Sequence, residues 1–124
     1  MELFNKLPLI LDGAMGTELQ KRGCAPGSCM EEWILENPDS LIELQRSYVR
    51  AGSDIIYAPT FGANRFALGK YGRGEKVREY NLRLVELSRK AASGKAMVAG
   101  DIAPTGEPLE PYGDMEEEEL FEIY

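Results

Sequence analysis

Two periods of apolar residues alternate along this chain. Leu7 to Leu11, Asp54 to Ala58 and Ala96 to Ala99 are short apolar runs, each predicting a strand covered on both faces. Between them the period lengthens. Leu41, Leu44, Gln45 and Tyr48 share one side of a helix that begins at Asn37-Pro38, with Asn37 as its N-cap, and ends at Ala51 before Gly52. Val77, Tyr80, Asn81, Leu84, Leu87 and Ala91 recur at i, i+3, i+4, i+7 and predict the cleanest helix, from about Glu75 to Ala92, with Gly94 as its stop.

Shorter pieces fill the gaps. Thr17 to Arg22 suits a short helix stopped by Gly23, and Gly23 to Ser28 reads as a loop. A helical turn follows Asn64 and gives way near Gly69 and Gly72. After a Pro- and Gly-rich loop from Pro104 to Gly113, Asp114 is expected to cap a last helix whose first turn carries Glu116 to Glu119. Leu120, Phe121 and Tyr124 mark that helix's apolar face, and a chain finishing on such a face reads as the leading part of a longer protein. The order β-α-β-α-β-α predicts an α/β fold with parallel strands and right-handed crossovers. Leu9, Leu11, Ile55 and Val98 are the expected inner face of its sheet.

Composition narrows the function. A net charge of −7 lacks the basic footprint of a nucleic-acid or membrane-surface binder. There is no membrane-length apolar run and no signal-peptide pattern at the start, so the expected location is cytoplasmic. The chain has no histidine, which removes the commonest general base and nitrogen ligand. Cys24 and Cys29, with four residues between them and no matching second pair, read as reduced loop thiols without a metal. Neither G-x-G-x-x-G, a P-loop nor a G-x-S-x-G elbow occurs.

The chemistry gathers where the strands should end. Polar groups follow all three apolar runs, about 45 residues apart: Asp12, Thr60 with Asn64, and Asp101. At such strand ends α/β folds hold ligands. The Asp12 carboxylate suits a ligand ammonium, and the N–H groups of Gly13 and Ala14 suit a carboxylate, as in an anion-binding nest. Together they would grip the head of an amino acid. The plainer alternative is that Asp12 caps the turn and helix that follow it. Thr60, Asn64, Asp101 and Thr105 are each, taken singly, ordinary turn or cap residues.

Four motifs in order carry a resemblance: Leu11-Asp12-Gly13-Ala14-Met15-Gly16-Thr17, Arg50-Ala51-Gly52-Ser53-Asp54-Ile55-Ile56, Thr60-Phe61-Gly62-Ala63-Asn64 and Gly100-Asp101-Ile102-Ala103-Pro104-Thr105-Gly106. The chain resembles the homocysteine S-methyltransferase family, and most of all the N-terminal homocysteine-binding module of cobalamin-dependent methionine synthases. The resemblance implies that residues 1–124 are the N-terminal portion of a (βα)8 TIM barrel. It implies homocysteine as ligand, with Asp12 on its amino group and the backbone of Gly13 and Ala14 on its carboxylate. Thr60, Phe61, Asn64 and Asp101 would complete the substrate site. It implies zinc on three cysteines from later strands, none of which is in this sequence, so no metal ligand and no catalytic residue is assigned here. The donor it implies is methylcobalamin, charged from methyltetrahydrofolate on other modules, with S-methylmethionine and betaine as alternatives. Its expected partners are the remaining half of the barrel or a second copy meeting the open sheet edges. Pro59 departs from the family, which commonly has Asn there, and removes an N–H donor at the site rim. The rival reading is a self-contained small α/β binding module without catalysis.

Overall fold

The computed structural model describes residues 7–124. Its sheet has two parallel strands, β1 (Ile55–Tyr57) and β2 (Met97–Ala99), in the register Ile55 to Met97, Ile56 to Val98 and Tyr57 to Ala99. The first apolar run lies beside β1 but pairs as a strand only at Leu11, opposite Ile55. Pro8 has no N–H to give to a ladder, and the N–H of Ile10 goes to the Asp54 side chain at 3.0 Å. The Ile10 carbonyl still accepts from Asp54 N–H and Ile55 N–H, so the run keeps its place in the sheet as a single bridge.

The helices are α1 (Gly16–Lys21), α2 (Met30–Glu36), α3 (Pro38–Ala51), α4 (Arg65–Gly69), α5 (Val77–Ala92) and α6 (Glu117–Ile123), with a 3-10 turn at Gly74–Lys76 leading into α5. α3 and α5 pack on each other and on one face of the sheet. Ile42, Ile56, Ala91 and Ala92 are buried between them, with Val98 against this cluster. A second cluster, including Leu19, Ile34, Leu41, Leu44, Leu68 and Leu84, joins all five helices from α1 to α5. Val98 therefore belongs to the helix-covered face, not to the inner face expected for it. Side chains alternate along a strand, and the register puts Val98 beside Ile56 while Leu11, Ile55 and Met97 share the opposite side. On that opposite side Leu11 remains 47% exposed.

Four local readings change. α2 is an additional helix, with Glu31 and Glu32 in its first turn. Asn37 does not cap α3; its side chain donates to the Trp33 carbonyl at 2.9 Å and so closes the end of α2. Asp114 does not cap the last helix. Met115 is buried and bridges Leu109, closing residues 109–115 into a turn, so α6 starts from Glu116. Phe121 faces outward from α6 rather than inward, whereas the Tyr124 hydroxyl donates to the Ala103 carbonyl. Among the described residues, no helix is long and apolar enough to cross a membrane.

Candidate functional site

A cleft of about 340 Å³ opens at the C-terminal ends of the strands. Asp12, Gly13, Tyr57, Phe61 and Asp101 line it, together with Met15, Met30, Glu31 and Pro59. This is the end of a parallel sheet where the loops converge and ligands are held. A wider hollow of about 520 Å³, lined by Phe66, Lys70 and Glu119, lies between α4 and α6 and touches none of the strand ends.

Asp12 is fixed by the sheet rather than by a helix. Its Oδ2 accepts from the N–H of Tyr57 at 3.0 Å, while α1 has no side-chain cap. The expected alternative, Asp12 as helix cap, does not hold. Partial burial pushes its carboxyl above the ordinary aspartate range, opposed by the N–H groups of Tyr57 and of Asp12 itself. Gly13 follows in close contact with Tyr48, whose hydroxyl donates to the Ala14 carbonyl at 2.6 Å. A Cβ at Gly13 would stand 2.9 Å from the Tyr48 ring. Burial also raises the Tyr48 hydroxyl, with the charges of Glu18 and Asp12 adding to it, so it stays a donor. Among the described residues, the N–H groups of Gly13 and Ala14 donate to nothing.

The other expected residues divide. Phe61 is 63% exposed at the rim, and Asp101 faces the cleft from the end of β2. Thr60 and Asn64 are buried and engaged. The Thr60 hydroxyl donates to the Asp101 carbonyl and accepts from the Asp101 N–H, both at 2.9 Å, tying the loop after β1 to the loop after β2. Asn64 Oδ1 accepts from Ala67 N–H at 2.8 Å and caps α4. Both border a smaller hollow of about 180 Å³ that shares Phe61 and Asp101 with the main cleft. Ala14 stands outside the cleft lining. Pro59 is buried in the wall, so the amide the family commonly has there is replaced by an apolar ring.

Sequence reasoning missed Met30 and Glu31, because it assigned no element to residues 29–36. The signal was present in the Glu31-Glu32 start and the Met30, Ile34 pair one turn apart. Neither cysteine stands in a cluster of candidate metal ligands among the described residues. Cys24 lies 3.6 Å from the Ser28 hydroxyl, Cys29 donates to Glu31, and no group of three or more candidate ligands exists among the described residues. These residues do not fit zinc.

Comparison with known proteins shows the family of the chain. The family model described as "Homocysteine S-methyltransferase" matches residues 9–124. The chain belongs to the homocysteine S-methyltransferase family. A homocysteine S-methyltransferase of Escherichia coli is 33% identical over 110 residues, covering 79% of this chain and 36% of the relative. A methionine synthase of Mycobacterium leprae is 31% identical over 118 residues, covering 84% of this chain and 10% of its own length. The crystal structure of the homocysteine methyltransferase MmuM from Escherichia coli, oxidized form, superposes with a TM-score of 0.70 at 30% identity, over 84% of this chain and 40% of that one. The chain thus spans from a tenth to two fifths of the length of these three proteins.

Proposed function

We propose that this chain forms the homocysteine-holding part of an enzyme that transfers a methyl group to the homocysteine thiol, yielding methionine. One observation carries the reading: Asp12 and Gly13 line the cleft together, and among the described residues the N–H groups of Gly13 and of Ala14, the next residue just outside the lining, donate to nothing. An amino acid carries its ammonium and carboxylate on neighbouring carbons, and this pairing of acceptor and donors matches both. Phe61 and Asp101 border the same space, while Thr60 and Asn64 keep the two loops in place.

The reading includes the fold. The parallel strands form the leading part of a (βα)8 barrel, with residues 1–124 as its N-terminal portion and the bare face of Leu11, Ile55 and Met97 turned to the barrel interior. The rest of the barrel, or a second copy, would meet the sheet edges, and the protein would work in the cytoplasm. The zinc of the family would rest on cysteines outside this sequence. The resemblance names methylcobalamin first as donor, with S-methylmethionine and betaine, each carrying an onium centre, as the alternatives.

Titration calorimetry with homocysteine on the natural full-length protein tests the reading. Asp12→Asn should weaken binding by roughly 1.5–3 kcal/mol, about ten- to a hundredfold, for one lost charge-assisted contact. Equal affinity in the two proteins would leave Asp12 with only its structural bond to Tyr57.

A further inference from the structure

The cleft holds a further carboxylate, more deeply buried than Asp12, that the grip on an amino acid leaves unused. Glu31, in the first turn of α2, is 9% exposed and lines the same space as Asp12 and Asp101. Among the described residues it forms no ion pair, and its one hydrogen-bond partner is the Cys29 thiol at 3.6 Å, a weak donor. Its neighbour Glu32 shows the contrast. Glu32 pairs with Arg73 at 2.6 Å and accepts from the Tyr80 hydroxyl, and Arg73 draws its carboxyl below the ordinary range. Glu31 has no such cation.

Position 62 leaves room for this arrangement. An ideal Cβ on Gly62 would fall 2.5 Å from Glu31 Oε1, so a residue with a side chain would push the carboxylate aside. The surrounding wall is apolar and polarizable: Met15, Met30, Tyr57 and Phe61. Carboxylates among thioethers and aromatic rings favour positive charge. They suit a cation that has no acidic proton to give. A carboxylate this buried is costly without a counter-charge, and a ligand that brings one offsets that cost. The Cys29 thiol is no competing nucleophile, because burial first, and the Glu31 charge as well, push its titration up.

We propose that Glu31 is a specificity-determining residue that receives the positive charge of an onium methyl donor, a sulfonium or a quaternary ammonium. The inference rests on the reading above, in which homocysteine occupies the Asp12 end of the cleft. The homocysteine thiol first loses its proton to solvent. The thiolate pair then forms a bond to the donor methyl carbon as the bond from that carbon to the onium centre breaks. The breaking pair stays on sulfur or nitrogen, leaving a neutral thioether or tertiary amine. The positive charge that Glu31 faces therefore vanishes as methyl moves. Glu31 holds the ground state better than the transition state, so its loss raises donor KM and leaves kcat equal or higher.

Steady-state methylation by the natural full-length protein, with S-methylmethionine and with betaine as separate donors at saturating homocysteine, is the test. Glu31→Gln should raise donor KM roughly tenfold or more, the scale of one partly desolvated charge contact. Homocysteine affinity by calorimetry should stay within twofold. The donor that turns over separates sulfonium from quaternary ammonium. Gly62→Ala, which keeps the charge but displaces it, should raise donor KM in the same direction and serves if Glu31→Gln fails to fold. Unchanged donor KM in the folded variants would overturn the inference, as would turnover with methylcobalamin alone. Either result leaves homocysteine binding, and so the broader reading, standing; absent homocysteine binding removes the reading itself.

Discussion

Asp12 carries two demands that pull its chemistry in opposite directions. It closes the end of the sheet through the N–H of Tyr57, and burial raises its carboxyl above the usual range. A carboxylate raised on folding adds stability below its unfolded value, and that contribution is lost as pH climbs through the raised one. Asp12→Asn keeps an acceptor for Tyr57 and removes the buried charge. The variant should therefore melt at or above the wild-type temperature at pH 7 while holding homocysteine less well. Ligand binding runs the other way. The ammonium needs ionised Asp12, so homocysteine affinity should begin to fall on acidification before pH reaches the ordinary aspartate value of about 3.9. Calorimetry at stepped pH reads this directly, and a flat profile down to that value would detach Asp12 from the ligand. Gly13 gives a steric counterpart. Gly13→Ala forces Tyr48 away from the Ala14 carbonyl and should cost roughly 1–3 kcal/mol in thermal unfolding, with homocysteine binding weakened as well.

At the scale of elements, α5 packs so closely on its neighbours that polar atoms are caught inside. Ser88 is fully buried, and its hydroxyl has no hydrogen-bond partner among the described residues. Ser88→Ala removes an atom that lost its water on folding and gained nothing, so stability should rise by about 1 kcal/mol, a few degrees of Tm. A lower Tm would mean that the hydroxyl fills space that alanine leaves empty. Gln45 on α3 is a mixed case: its Oε1 is likewise buried without a partner among the described residues, but its N–H is used. Its amide donates to the Tyr57 carbonyl at 2.8 Å and anchors the helix to the end of β1. α3 and α5 were legible from periodicity because each spans at least fourteen residues with one apolar face. α2 was not legible, since seven residues hold barely two turns of pattern.

The whole molecule is a short parallel sheet covered on one face only. Leu11, Tyr57 and Met97 are exposed on the other, with Ile102 and Phe121 bare elsewhere on the surface. Sheet edges and apolar surface of this kind favour association, and a net charge of −7 opposes it without pairing an edge. The isolated chain of residues 1–124 should therefore sediment as dimers or larger species with rising concentration. A compact monomer that unfolds cooperatively at every concentration would favour the self-contained binding module.

The residue pattern alone determined the α/β class, the parallel order and the three strand-end motifs. Those depend on local period and on turn residues that any chain displays in its sequence. Tertiary structure decided the rest. It reduced the first strand to a bridge, because Asp54 captured a ladder N–H. It moved Val98 to the helix face, because register fixes which side of a sheet a residue meets. It set Thr60 to tie two loops and brought Glu31 into the cleft beside Asp12, nineteen residues earlier in the chain. A buried carboxylate without a cation is a property of what surrounds it, and sequence spacing does not encode those surroundings.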